Sequence, residues 1–325
     1  MTFASRLKST TAAAGRAALG AALGLGLTVA LLGAAPAVAF AQEPAAAPAA
    51  QRAVLPAQGQ GPALWTITDA DSTLYLFGTV HVLRPETAWG SPRVDAAFDA
   101  SDRIILEISN PDDQAAIQPL IQQFGISPAR PLSSLLTADE IARLDVAAGA
   151  IGATAAQLDP LRPWLVALSL SLAPMLKAGY DPQSGVELIL KARAEAAGKP
   201  VTGLETIDKQ VSILAGLSEE TQLAFLRAAL DSYDDATTEL DALVTAWAGG
   251  DVDTINRLGV VEMRETSEEI YEALLVRRNT DWADQIQTLL AGSGTVFIAV
   301  GAAHLAGDDS VQDILEDRGV EVLRH

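Results

Sequence analysis

Two of the three histidines in this chain, His81 and His304, close matching stretches of sequence, an apolar run followed by Gly-x-x-His. The first reads Leu74-Tyr75-Leu76-Phe77-Gly78-Thr79-Val80-His81, the second Val296-Phe297-Ile298-Ala299-Val300-Gly301-Ala302-Ala303-His304. Imidazole ligates metals and changes charge near neutral pH, and a glycine three residues earlier lets the backbone turn as a strand ends. Glu107, within Ile104-Ile105-Leu106-Glu107-Ile108, and Glu205, closing Val201-Thr202-Gly203-Leu204-Glu205, place carboxylates at the ends of two further apolar runs. Two imidazoles and one or two carboxylates make an open donor set for a divalent ion. Such an ion would lower the pKa of a bound water and polarise a carbonyl, with the remaining carboxylate as general base.

Each residue also has a plainer reading. A histidine after a strand is commonly a hydrogen-bonded structural group. Glu107 needs a partner among its apolar neighbours, and a basic side chain such as Arg103 would serve as well as a metal or histidine. Glu205 is equally well placed as the N-terminal acid of a following helix. Arg278 and Trp282, four apart, share a helical face that could bring the guanidinium to a carboxylate or an anionic substrate, or could carry an ordinary surface salt bridge. His325, at the end of the chain, reads as solvated.

The elements that must position these residues follow from pattern. Residues 64–68 and 73–77 flank the turn-rich Asp69-Ala70-Asp71-Ser72 and predict a hairpin. Ser91-Pro92 opens a short helix to about residue 100, and 103–108 is a strand stopped by Asn110-Pro111. Helices are predicted over 112–124, 137–148, 163–176 and 184–197, the last with Ser184-Gly185-Val186-Glu187 as a capped start. A strand at 199–205 precedes helices over 206–290, with breaks near Gly216, Gly249-Gly250 and Gly259. Strand 295–300, helix 310–318 and strand 320–323 end the chain. Strands separated by helices predict an α/β fold, with a mostly parallel or mixed central sheet, an N-terminal β-hairpin and large helical insertions. Ligands collect beyond the carboxyl ends of such strands, where His81, Glu107, Glu205 and His304 all fall.

Composition narrows the classes. Residues 1–41 contain no acid, carry Arg6, Lys8 and Arg16, and end in Ala39-Phe40-Ala41, the layout of a signal peptide cleaved after Ala41. An uncleaved membrane anchor is the competing reading, disfavoured by Gly20, Gly24, Gly26, Gly33 and Pro36. Residues 42–61 read as a disordered Ala/Pro/Gln linker, and 62–325 as one α/β domain. The expected location is periplasmic or secreted, with no stable membrane span after cleavage. Removing three positive charges from a net −19 leaves −22, which argues against nucleic acid as a partner. The chain has no cysteine, which excludes thiol nucleophiles, Cys-ligated metals and disulfides. No Gly-x-Ser-x-Gly elbow, phosphate loop or His-Glu-x-x-His helix is present.

From Ala63 onward the chain resembles the TraB/GumN family, which is related to the Tiki proteins and more distantly to erythromycin-esterase-like and ChaN-like proteins. The resemblance rests on Leu-Phe-Gly-Thr-Val-His at 76–81, Leu-Glu-Ile at 106–108, Gly-Val-Glu at 185–187 and Gly-Lys-Pro-Val-Thr-Gly-Leu-Glu-Thr at 198–206. It continues through Arg-Arg-Asn-x-x-Trp at 277–282 and Val-Gly-Ala-Ala-His-Leu-Ala-Gly at 300–307. The Tiki branch implies a metal-dependent protease in which His81, His304 and Glu107 form the site, whereas the ChaN-like branch implies haem binding. The expectation is therefore an exported metal-dependent hydrolase acting on a peptide or small-molecule substrate, with a peptide bond favoured. His81 and His304 would bind a divalent ion (Mn, Zn or Co), with Glu107 as ligand or base and Glu205 as secondary ligand or orienter. Arg278 would bind a substrate carboxylate or stabilise developing charge. The alternative is a non-catalytic envelope protein that holds haem or a metal ion through the same histidines.

Overall fold

The computed structural model describes residues 54–325; the expected signal peptide and the linker up to residue 53 lie outside the described residues. The hairpin forms as expected, from β2 (Leu64–Thr68) and β3 (Ser72–Thr79) in antiparallel register. Asp69 closes its turn by accepting hydrogen bonds from the Asp71 and Ser72 amides at 3.1 and 2.8 Å. β5 (Arg103–Ile108), β6 (Val201–Glu205) and β7 (Gly294–Gly301) are parallel to β3, and β8 (Val322–Arg324) pairs antiparallel with β2. The sheet is thus mixed, with order β6-β5-β7-β3-β2-β8. β7, the seventh strand in sequence, enters between β5 and β3. That insertion is what sets His304 beside His81.

Parallel strands covered on both faces read as continuous apolar runs because each face meets a different layer. Phe77, Ile104, Leu106, Phe297 and Ala299 face the larger core under the helical insertions. Leu74, Leu76, Ile105, Val296, Ile298 and Val300 face a smaller core with Trp282, Ala283 and Ile286 of the Arg277–Leu290 helix. Strand alternation places Glu107 on the side of Ile105, under that helix. The insertions occupy the β5–β6 and β6–β7 connections and include the Gln114–Phe124, Ala138–Gly149, Pro163–Lys177 and Val186–Ala196 helices. No described helix is long and apolar enough to cross a membrane.

Several local readings differ from expectation. Leu55 and Pro56, within the segment read as linker, form β1 and pair in parallel with β4 (Ala88–Gly90). The helix expected to start at Ser184 starts after Gly185; Ser184 ends a separate 3-10 turn, Pro182–Ser184. Gly259 breaks nothing, because the backbone continues through it as a π-helical segment, Asn256–Val261. Unforeseen breaks fall between the Glu219–Asp231 and Ala236–Ala248 helices and at Ser267, between the Glu262–Thr266 and Glu268–Tyr271 helices.

Candidate metal and catalytic centre

The carboxyl ends of β3, β5, β6 and β7 converge on one buried cluster. His81 and His304 are 1% and 0% exposed, and Glu107 lies between them. Its Oε1 is 4.0 Å from His81 Nε2 and 3.9 Å from His304 Nε2. The same oxygen accepts the Gly301 amide at 2.6 Å. Imidazoles 223 positions apart in sequence therefore face one carboxylate oxygen.

The two Gly-x-x-His units share sequence but not structure. Thr79 pairs with Gly301, so the two glycines are offset by one register step. After Gly301 the chain enters a 3-10 turn, Ala302–Leu305, that carries His304, whereas His81 sits on irregular backbone after β3. Neither glycine adopts a positive φ. Gly78 is needed for close approach instead: a Cβ there would meet Ala302 Cα at 3.1 Å.

Each ring is oriented from behind. His304 Nε2 faces Arg278 Nη1 at 3.0 Å; a guanidinium can only donate, so Nε2 accepts and Nδ1 carries the proton, held by Asn279 Oδ1 at 2.5 Å. Asn279 is fixed in turn by donating to the Asp309 carbonyl at 2.7 Å. Trp282 packs against the His304 ring at 4.3 Å between centroids. On the other ring, Glu187 Oε1 lies 3.0 Å from His81 Nδ1, an ion-pair contact whose alignment falls short of a hydrogen bond. In the neutral ring a carboxylate there draws the proton to Nδ1 and leaves the lone pair on Nε2, a buried nitrogen without a hydrogen-bond partner. Burial pulls the His81 pKa down, but Glu187 and Glu107 outweigh it and leave the pKa above the ordinary imidazole value.

Arg278 is the internal counter-ion, 2% exposed, and the surface-salt-bridge reading does not hold for it. Its Nε donates to Glu205 at 3.0 Å, Nη1 to the Leu274 carbonyl and His304, and Nη2 to Glu107 at 2.7 Å and Glu205 at 2.9 Å. All five N–H donors have acceptors within the protein, so the side chain is a scaffold cation, not a free substrate hook. Burial alone would raise the Glu107 pKa, yet Arg278 first, then the two histidines and the Gly301 amide, lower it to about 2. Glu205 turns to Arg278 and to Gln210 Nε2, the latter also donating to Glu107. These contacts make Glu205 the orienter of the guanidinium.

Glu187, Gln210 and Asn279 are site residues that the sequence reading did not assign. Gln210 had a legible signal, a polar side chain on the apolar stripe of Ile207, Val211 and Leu214. Glu187 reads as an ordinary first-turn acid, and only the close approach of its helix to the His81 loop shows otherwise. Gly185 permits that approach, because a Cβ on it would meet the His81 carbonyl oxygen at 2.5 Å. Gly185→Ala is therefore expected to cost about 1–3 kcal/mol in denaturant unfolding and to displace His81, since backbone cannot yield as a flexible side chain would.

The donor set suits a divalent ion. Ligands about 2.0–2.1 Å from a tetrahedral metal stand roughly 3.3 Å apart. The two Glu107–histidine separations, 4.0 and 3.9 Å, exceed that by roughly 0.6–0.7 Å. As the side chains stand, no group of three His, Cys, Asp or Glu among the described residues closes to metal-binding distance. His81 Nε2 has no hydrogen-bond partner, whereas Glu107 Oε1 already accepts the Gly301 amide and His304 Nε2 accepts from Arg278 Nη1, so an ion would have to draw these two away from their present partners.

Fold and site define a mixed α/β protein with a histidine–glutamate–arginine centre at the carboxyl rim of its parallel strands. The chain belongs to the TraB/PrgY/gumN family, whose model matches residues 63–324. It is similar to an uncharacterized protein of Treponema pallidum (strain Nichols), 23% identical over 273 residues covering 78% of this chain and 80% of that one. It is also similar to the uncharacterized protein YbaP of Escherichia coli (strain K12), 22% identical over 256 residues covering 78% and 92%. No solved structure matches the chain.

Proposed function

We propose that this protein is an exported metal-dependent hydrolase acting on peptide bonds. The observation that carries the reading is the convergence of His81 Nε2 and His304 Nε2 on Glu107 Oε1, at 4.0 and 3.9 Å, with each ring oriented from its Nδ1 side. His81, His304 and Glu107 would hold the ion, which supplies Lewis acidity and a more acidic bound water. Glu187 and Asn279 keep the Nε2 lone pairs pointed inward, and second-sphere partners of this kind raise ligand basicity. Glu107 serves as a ligand rather than a base, because Oε1 takes the Gly301 amide and Oε2 takes Arg278 and Gln210. Arg278 holds the two buried carboxylates together at the rim. Haem fits this arrangement less well, since a planar macrocycle between the histidines would have to displace Glu107.

Export is part of the proposal and rests on the acid-free, Ala-x-Ala-terminated leader. The test is metal analysis of protein purified without chelator, paired with a peptide-cleavage screen after loading with Mn²⁺, Zn²⁺ or Co²⁺. The expected result is about one ion per chain, thermal stabilisation by the metal that a chelator reverses, and turnover of some peptides. A Soret band on adding haem, without turnover of any peptide, would replace this reading with the binding protein.

A further inference from the structure

A cavity of about 450 Å³ borders the centre through Arg278, which forms part of its wall. The rest of the lining comes from Lys209, Ser212, Glu269 and Arg277, with Ile213, Leu217 and Ala273 as its apolar part. The charges on this wall are not balanced as they first look. Both oxygens of Glu269 are committed, Oε1 to the Ser218 amide at 2.7 Å and Oε2 to the Ser218 hydroxyl at 2.7 Å and to the Thr221 hydroxyl. Lys209 divides itself between Asp281 at 2.6 Å and Glu205 at 3.5 Å. Arg277 differs from both. It is exposed, its Nε donates to the Glu272 carbonyl at 3.3 Å, and among the described residues it has no ion-pair partner. Glu269, whose carboxyl the Thr221 and Ser218 hydrogen bonds and, more weakly, the Arg277 charge hold below its usual range, spends its oxygens on those hydroxyls and that amide, which leaves the Arg277 Nη groups open to the cavity's occupant.

We propose that this cavity is a carboxylate subsite, in which Arg277 seats an acidic group of a peptide and the Ile213–Leu217–Ala273 wall takes a neighbouring apolar side chain. The proposal rests on the peptide reading above and names the substrate class: peptides carrying a free carboxylate. The fork of Nη donors suits a planar carboxylate, and the apolar wall limits competition from water. The acidic group is either the chain-terminal carboxylate or an Asp or Glu side chain, which share this chemistry.

The test is calorimetric titration of the protein with three peptides: acetyl-Ala-Ala-Leu as free acid, the same peptide as its amide, and acetyl-Asp-Ala-Leu amide. Arg277→Gln is titrated in parallel. Wild-type protein is expected to bind the free acid about tenfold more tightly than the amide, an advantage typical of a charged hydrogen bond, and Arg277→Gln to erase it without weakening the amide. Preference for the Asp-bearing amide over the plain amide would assign the subsite to an internal acid, and preference for the free acid to the chain terminus. Equal binding of all three peptides, no binding of any, or an unchanged preference in Arg277→Gln overturns the subsite. Charge-selective binding without cleavage of any peptide by metal-loaded protein would leave the subsite standing and sink the hydrolase reading.

Discussion

Replacing both His81 and His304 with alanine is expected to abolish metal uptake and peptide hydrolysis while the sheet and its helices stay folded. Each substitution removes one inward-facing Nε2, leaving Glu107 as the sole remaining donor of the proposed three. Orienting partners of metal-bound histidines are worth about 10–100-fold in affinity, so Glu187→Gln is expected to fall in that range and loss of a ligand to exceed it. The two histidines are not equivalent for stability. His304 accepts from Arg278, donates to Asn279 Oδ1 and packs on Trp282, so His304→Ala strands a buried donor and a buried acceptor and is expected to cost about 1–3 kcal/mol beyond the loss of packing. His81 Nε2 has no hydrogen-bond partner to lose. Metal analysis and circular dichroism on the single and double variants check both statements. Full metal occupancy in the double variant would remove these residues from the ligand set.

Arg278→Leu is expected to destabilise the protein by about 3–5 kcal/mol at neutral pH, because it leaves the buried carboxylates of Glu107 and Glu205 without their shared cation. The pH dependence gives this prediction its sign. In the wild type the Glu107 pKa is lowered to about 2 from the ordinary glutamate value of 4.5, so its contribution is present above about pH 4.5 and is lost as pH falls toward 2. Without Arg278, burial becomes the dominant influence and pushes the carboxyl above its ordinary value. The variant should then gain stability relative to wild type as pH is lowered from 7 toward 4, a range over which the wild-type Glu107 contribution is nearly constant. Urea unfolding of both proteins across that range measures it. A constant difference between them would mean that Arg278 acts through packing and not through charge.

Much of the centre was legible before any coordinates, for reasons specific to the residues. His81, Glu107, Glu205 and His304 each end an apolar run, and parallel strands deliver such ends to one rim. Arg278 and Trp282 at helical spacing predicted a shared face, and both lie on the buried side of the Arg277–Leu290 helix. The fold class followed from the same alternation of strands and helices. A glycine three residues before each histidine predicts a turn of the backbone at Gly78 and Gly301. Their backbones are ordinary, and Gly78 instead makes room for a neighbouring strand end.

The sequence alone picked out His81, Glu107, Glu205, Arg278 and His304 as the polar residues set among apolar ones, because buried imidazoles and carboxylates are costly enough to stand out in such a context. It also determined the strand and helix types, through local periodicity. Tertiary structure decided what those side chains do for one another. Only the insertion of β7 between β5 and β3 sets the two histidines about one carboxylate, and only the approach of Gly185 to the His81 loop makes Glu187 a partner. The same packing spends all five donors of Arg278 internally. Such choices depend on contacts between segments far apart in the chain, and no local pattern encodes a distance between them.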